Sequence, residues 1–511
     1  MADSYTKKYI SIYFFQGLSI ILGFISLFIV LPYISSDKDL YGVYAICTSL
    51  TIYFSYADLG FGAAGQKFAV ESFVNHDRDE EMRIIGFTTF VFLVFMTSIA
   101  LLILLLSIQP DFLLKGITDD NILTARWLLI ILALSSPVLA MNRALNVIYS
   151  IRLEDYKFQQ IHIVCNIIKI LSVFFFFTGG RYLLVPYYFF VNIMELVSAL
   201  WALFYAKRKY SYQILRLIKN IKFNKTVFDK IKGLAFAGLV SMICWILYYE
   251  LDQIAIGTMF DVKAVATYSI AFSVLTYFRT YFGVIFSPLT ARFNYFIGEG
   301  NTQGLNEHLC RVCCFFLPFV VFPILAVVIF AEPFVITWVG GQYIDSIIHT
   351  RLLVVCNILA FITYPASAYI MALQKSKEIV KMSMFIALVY WLGIIILQGK
   401  LELLSFSLMK TVAFLLSAVY YVYLIIKFQK TSSFKFIFSI IKPYIIPLLI
   451  TVGLGIILLK LYHYEDDKSV TGLFLSMGLM GLFVLSGLLL SSWNSSIIKE
   501  KIIEIRKTYG K

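Results

Sequence analysis

Fourteen long apolar stretches run through this 511-residue chain, and its Lys and Arg residues crowd into alternate gaps between them. A helix needs roughly 20 apolar residues to cross about 30 Å of hydrocarbon. Stretches of that kind lie near 9–33, 41–63, 84–108, 127–149, 158–178, 182–205 and 233–257. The others lie near 264–290, 312–338, 352–373, 379–397, 402–426, 443–462 and 470–491. The chain is 14% charged and 60% hydrophobic, whereas soluble domains carry about 25% charge. The expected fold class is therefore an all-α polytopic membrane protein with about 14 transmembrane helices.

A net charge of +13 raises the idea of a nucleic-acid partner, and its placement argues against one. Of the 43 Lys and Arg residues, 30 fall in alternate gaps, nine in the remaining gaps and four inside spans. Basic residues accumulate on the inner side of a membrane. Both termini are thus expected in the cytoplasm, in a multi-pass protein of a bacterial cytoplasmic (inner) membrane. The basic gaps are also expected to meet anionic inner-leaflet lipids.

No cleavable signal peptide is visible, because the first apolar segment is too long and lacks a small-residue cleavage site. Seven cysteines lie mostly in spans or at their inner ends and are expected to be free thiols. Cys310, Cys313 and Cys314 with His308 imitate a metal cluster, but no second pair accompanies them, and packing is the preferred reading. All outer connections are short, which leaves no room for a soluble catalytic domain.

The longest inner connection, 207–232, holds nine basic residues. Its Ile214, Leu217, Ile218 and Ile221 repeat at helical spacing with Arg216, Lys219 and Lys222 opposite, the pattern of an amphipathic helix on the inner leaflet. Phe434, Ile437, Phe438 and Ile441 repeat the device. At an offset of 224 residues, Asp37, Tyr44, Ile46, Ser49, Tyr53 and Phe54 match Asp261, Tyr268, Ile270, Ser273, Tyr277 and Phe278. That register aligns span two with span eight and predicts two parallel six-helix repeats, pseudo-symmetric about the membrane normal. The expected organisation is an N-terminal lobe (1–206), a basic linker (207–232), a C-terminal lobe (233–426), a second linker (427–442), and two extra helices with a tail (443–511).

Ionisable groups inside hydrocarbon are costly and usually face a bundle interior or a water-filled cavity. The spans carry Asp58, Arg143, Lys169, Glu195, Glu250, Asp252, Arg279 and Lys410, four positive and four negative. One reading makes them structural ion pairs. The other makes Arg143, Lys169, Arg279 and Lys410 the contacts for an anionic substrate, with Asn142 and Asn146 one turn apart beside Arg143. Asp58, Glu195, Glu250 and Asp252 are then candidates for coupling or gating. Arg143 lies roughly 13 Å from the inner end of its helix at 1.5 Å per residue. Glu250 and Asp252 approach the outer interface and rank lower. The repeat also brings Asp58 into register with a position one turn from Arg279, which predicts that these two charges face each other.

Several runs resemble the polysaccharide-transporter family, the Wzx-type lipid-linked oligosaccharide (O-antigen) flippases of the multidrug/oligosaccharidyl-lipid/polysaccharide (MOP) superfamily. They are Leu40-Tyr41-Gly42-Val43-Tyr44, Asp58-Leu59-Gly60-Phe61-Gly62 with Lys67, Asp252-Gln253-Ile254-Ala255-Ile256-Gly257 with Tyr268 and Pro288, and Ala372-Leu373-Gln374-Lys375-Ser376-Lys377. The resemblance covers residues 9–426. It implies two MATE-like lobes around a cleft that alternates in access. Its implied cargo is an undecaprenyl-pyrophosphate-linked oligosaccharide moved from the inner to the outer leaflet for surface polysaccharide assembly. A polysaccharide polymerase and a chain-length regulator are implied partners. No cofactor is expected beyond coupling to a proton or sodium gradient. Fourteen spans exceed the twelve of many family members and match lipid II flippases, yet span one lacks basic residues in its body.

A lipid II-type flippase and a cation-coupled multidrug antiporter are the competing transporters; the antiporter would want an acidic cleft. A membrane glycosyltransferase would use paired acids such as Glu250 and Asp252 on an external loop, and here they lie inside a span. A polymerase or ligase would need a long outer loop. The expected function is a flippase and not an enzyme.

Overall fold

A computed structural model describes residues 2–57, 59–429, 432–464 and 467–494. Every regular element among the described residues is helical. In chain order the helices begin with α1 (Ala2–Ile34), α2 (Lys38–Ser55), α3 (Phe61–Val74), α4 (Arg78–Ile108), α5 (Asp119–Ser150), α6 (Asp155–Phe177) and α7 (Leu184–Tyr210). A linker carrying α8 (Ile214–Lys219) leads to α9 (Lys225–Trp245) and α10 (Asp252–Met259). Then follow α11 (Val262–Phe286), α12 (Pro288–Gly298), α13 (Thr302–Val339), α14 (Ser346–Val355), α15 (Ala360–Ala372), α16 (Ser376–Leu401) and α17 (Leu404–Gln429). The last are α18 (Ser433–Ile441), α19 (Ile445–Leu461) and α20 (Val470–Asn494).

Eleven helices among the described residues are long and apolar enough to cross a membrane, and α14 with α15, bent by 43°, makes a twelfth. The expected spans two and seven are the ones missing from that set, because both are broken. The first breaks between α2 and α3, where Leu59 and Gly60 take φ of +47° and +81°. A Cβ on Gly60 would stand 2.6 Å from the Ala235 carbonyl oxygen of α9, so the turn needs glycine for conformation and for close approach. The second breaks at a π-helical turn, Ile246–Glu250, the kind of irregularity that often marks a functional position.

The repeat reappears in helix capping. The Asp37 carboxylate accepts from the Leu40 N–H (3.0 Å), and its repeat mate Asp261 accepts from the Ala264 N–H (2.6 Å). Each satisfies a backbone donor that the first turn of its helix leaves open.

Compactness divides the chain into Met1–Ala266 and Thr267–Lys511, later than the expected boundary at 232/233. In the first unit α9 packs on α3. The loop before α5 also grips the chain beyond α10: the Lys115 N–H donates to the Gly257 carbonyl (3.1 Å), and the Val262 N–H donates to the Lys115 carbonyl (3.3 Å). In the second unit α20 runs along α13, where Gly487 meets the Phe322 ring. The helix α13 kinks at Phe330, three residues before Pro333, as a missing amide and a ring clash require.

The basic linker carries one short helix. Its helix α8 has six residues, and of the apolar set only Leu217 is buried, against α4; Leu215, outside that set, is 78% exposed. Arg216 pairs with Asp79 (2.7 Å) and Lys230 with Glu80 (3.4 Å), so part of the positive charge is answered by the acidic first turn of α4. In α18 the packed face is Phe436 and Ile440, while Phe438 is exposed and the Phe434 side chain lies outside the described residues. The i, i+4 pair one register away wins because it meets α13.

Beside the linker lies an ion pair that the topology count absorbed as loop charge. Arg152 donates to the buried Glu81 carboxylate (2.7 Å) and to the Ile148 carbonyl (2.7 Å). Its guanidinium stands over the rings of Phe73, Tyr210 and Tyr212. Burial and the nearby Glu81 carboxylate push the Tyr212 phenol above its ordinary range. Lys209 and Tyr210 both reach Glu154. These contacts tie the ends of α3, α4, α5 and α7 together.

Candidate membrane-embedded polar site

Within the first unit, α2, α4, α5, α6 and α7 line an open pocket of about 200 Å³. Its polar wall comes from four helices, with Thr51 and Ser55 supplied by α2. Asn142 and Asn146 sit four residues apart on α5 and share a face, with Arg143 beside them. His162 projects from α6 and Glu195 from α7. Phe54 and Phe158 supply apolar wall.

The deep charges predicted from sequence meet here. Lys169 of α6 forms an ion pair with one carboxylate oxygen of Glu195. The Asn142 amide donates to the other oxygen (3.3 Å), and the Asn166 side-chain oxygen accepts from Lys169 (3.2 Å). Side-chain exposure is 12% for Lys169 and 27% for Glu195, low enough for the pair to be screened only partly. Asn192, one turn before Glu195 on α7, donates to the Tyr188 carbonyl of its own helix (2.8 Å). Arg143 makes no hydrogen bond or ion pair among the described residues.

His162 was not singled out in the sequence. The signal was present: His162, Asn166 and Lys169 stand at i, i+4 and i+7 on α6 and share one polar stripe. In the structure the His162 Nε2 and the Asn142 Oδ1 are buried without a partner among the described residues, and both residues line the cavity.

Glu250 and Asp252 depart from expectation. Placed near the outer interface by sequence, they were expected to reach water; their exposures are 3% and 0%. The π-turn aims Glu250 at α2 and at Trp245. The Tyr56 hydroxyl (3.2 Å) and the Trp245 indole N–H (3.3 Å) donate to its carboxylate, and the Tyr53 hydroxyl donates to its backbone carbonyl (3.1 Å). Burial by three aromatic donors removes the reason for ranking this pair lower.

The remaining predicted residues are dispersed. Asp58 lies outside the described residues, and with it the expected pairing with Arg279. Arg279 is half-buried on α11 of the second unit. Lys410 of α17 is 0% exposed, with its ammonium 5.3 Å and 5.2 Å from the ring centres of Phe272 and Tyr390, an arrangement in which aromatic faces stabilise a desolvated cation. One turn earlier, Ser407 shares a hydrogen bond with the His349 Nδ1 (2.7 Å). Cys310 and Cys314 approach Ser439 and Tyr444, and His308 packs on the Phe293 and Phe296 rings.

No family model and no characterised protein sequence matches the chain. Solved structures do. The lipid II flippase MurJ in an inward closed conformation aligns over 95% of this chain and 99% of its own, with a TM-score of 0.67 at 14% identity. An inward-facing multidrug resistance MATE family transporter of the MOP superfamily aligns over 80% of this chain and 95% of its own (TM-score 0.63, 14% identity). An outward-facing conformation of such a transporter aligns over 83% and 96% (TM-score 0.53, 15% identity). At this identity the likeness is one of architecture: the chain is an all-helical polytopic membrane protein with the fold that these flippases and transporters share.

Proposed function

We propose that the chain is a flippase that moves a polyprenyl-pyrophosphate-linked oligosaccharide from the inner to the outer leaflet of a bacterial cytoplasmic membrane by alternating access. The observation that carries this reading is Arg143, a cation open to a membrane-embedded polar cavity and unpaired among the described residues. A guanidinium left without an acceptor is a receptor for an anion, and its forked donors suit phosphate oxygens. Glu195 cannot answer it fully, because Lys169 and Asn142 already occupy both carboxylate oxygens.

Lys169, Arg279 and Lys410 are the further cations of the proposed path. Lys169 is held by Glu195 and Lys410 is enclosed by two rings, so each joins the path only after its present partner lets go. Asp58, Glu195, Glu250 and Asp252 are the proposed coupling or gating carboxylates, driven by a proton or sodium gradient. Glu250 and Asp252 gain weight from their burial at a broken helix. The inner-leaflet lipids, a polymerase and a chain-length regulator remain the proposed partners.

The same cavity argues against a multidrug antiporter. Among the described residues the lining carboxylate, Glu195, is paired, which favours an anionic cargo over an organic cation. A lipid II-type cargo differs only in its sugar, so cargo identity separates the two flippase readings. The test is complementation of a flippase-deficient bacterium, with chemical identification of the lipid-linked glycan that accumulates without the protein. Restored surface polysaccharide supports the proposal. A strain that accumulates no such glycan and shows only altered drug efflux overturns it.

A further inference from the structure

We infer that α8 and the turn after it form a binding surface for anionic phospholipid head groups of the inner leaflet; this rests on the proposed orientation of the chain and gives its proposed lipid partner a site. The helix follows the membrane span α7 after the turn 211–213, so it lies at the level of the head groups. Two contacts fix which way it faces. Tyr212 is buried under the Arg78 guanidinium, which stands 4.5 Å from its ring centre and donates to the Tyr210 carbonyl (3.2 Å). Leu217 packs on α4. At 3.6 residues per turn, the side opposite Leu217 carries Leu215 and Lys219, flanked by Ile218 on one edge and Arg216 on the other. An apolar edge therefore runs beside a basic edge, as suits a helix lying where hydrocarbon meets head groups.

Exposure and pairing together select the occupant. Leu215 is 78%, Phe223 58% and Ile218 55% exposed. One exposed leucine needs no explanation, but three large apolar side chains in one short segment make a patch that water solvates poorly. The linker's cations divide into two sets. Lys209, Arg216, Lys230 and Lys232 are answered by Glu154, Asp79, Glu80 and Asp229. Lys207, Arg208, Lys219, Lys222 and Lys225 are exposed and carry no ion pair among the described residues. Apolar side chains interleaved with unanswered cations match a surface that is negative at its face and apolar beneath, which is what anionic head groups over acyl chains present. The lysine stems follow the apolar edge while their ammonium groups reach the phosphates. An acidic protein would answer the charge alone, and at this depth the neighbour of Leu215 and Ile218 is lipid.

The test places the purified full chain in nanodiscs of phosphatidylcholine alone, or of phosphatidylcholine with phosphatidylglycerol. Amide hydrogen exchange across 211–224 is read by mass spectrometry. With phosphatidylglycerol the segment is expected to exchange roughly tenfold more slowly, since each cation near an anionic surface contributes about fivefold. Added salt should shrink that difference. Lys219→Gln, Lys222→Gln and Lys225→Gln combined should erase it, whereas Lys232→Gln, which removes an answered cation, should keep it. Unchanged exchange in α5 is the check that each variant is folded. Leu215→Gln with Ile218→Gln should speed exchange of the segment in both lipids. Equal exchange in the two lipids by the unaltered chain, or a difference that survives the triple variant, would overturn the head-group site. So would its loss in Lys232→Gln to the same extent, because net charge alone would then explain it. Each of these results leaves the flippase reading standing, which complementation decides separately.

Discussion

Lys169 on α6 and Glu195 on α7 neutralise each other inside the first unit, and Asn142 on α5 closes the carboxylate's second oxygen. Two of the eight charges expected in the spans thus answer each other in this structure. What they leave exposed to the cavity is Arg143. The pair also joins three helices, so it sets the shape of the space that Arg143 faces.

Breaking that pair singly should cost stability and removing it whole should cost less. A fully buried pair loses about 3–5 kcal/mol when one partner goes, and partial exposure lowers this to roughly 2 kcal/mol. Lys169→Met and Glu195→Gln should each lower the thermal midpoint in detergent, and the double variant should recover at least half of the loss. Strict additivity of the two singles would show that the groups do not interact.

Arg143→Gln should abolish transport at unchanged membrane abundance. Arg143→Lys should retain a fraction of activity, because an ammonium keeps the charge without the forked donors. Proteoliposome flipping assays with immunoblots for abundance decide this. Full activity in Arg143→Gln sinks the assignment.

Glu81 and Arg152 should matter for folding and not for cargo. Glu81→Ala strands a buried guanidinium and should cost about 3–5 kcal/mol, whereas Glu81→Leu with Arg152→Met should come close to neutral. Thermal unfolding of the purified variants measures both. A double variant as unstable as Glu81→Ala would refute the view that the unpaired charge is the source of the cost.

Gly60→Ala should be far worse than Gly179→Ala. Both positions have positive φ, which costs an L-residue about 1–2 kcal/mol. At Gly60 the added methyl also meets the Ala235 carbonyl at 2.6 Å, while at Gly179 nothing lies within 4 Å. Comparable midpoints for the two variants would mean that α3 and α9 give way more easily than a packed interface does.

The candidate site was half legible. Arg143, Lys169 and Glu195 stood out because a charge in an apolar run has no trivial explanation. Sequence left open whether Lys169 and Glu195 are mates or independent ligands, since residues 26 positions apart on separate helices reveal no contact by spacing. His162 passed unnoticed because one imidazole in a polar stripe looks ordinary until its partners are known. The burial of Glu250 and Asp252 was not legible, because a π-turn that turns Glu250 onto Tyr53, Tyr56 and Trp245 leaves no mark in hydropathy.

Sequence alone determined the class of fold. Apolar length, charge bias and the Asp37/Asp261 repeat depend on local spacing and on the solvent, and lipid enforces both without tertiary detail. Tertiary structure decided where helices break, which charges cancel and which stay available. Those outcomes depend on contacts between distant segments, such as Gly60 against Ala235 or Asn142 against Glu195, whose energies exceed the local preferences that a sequence displays.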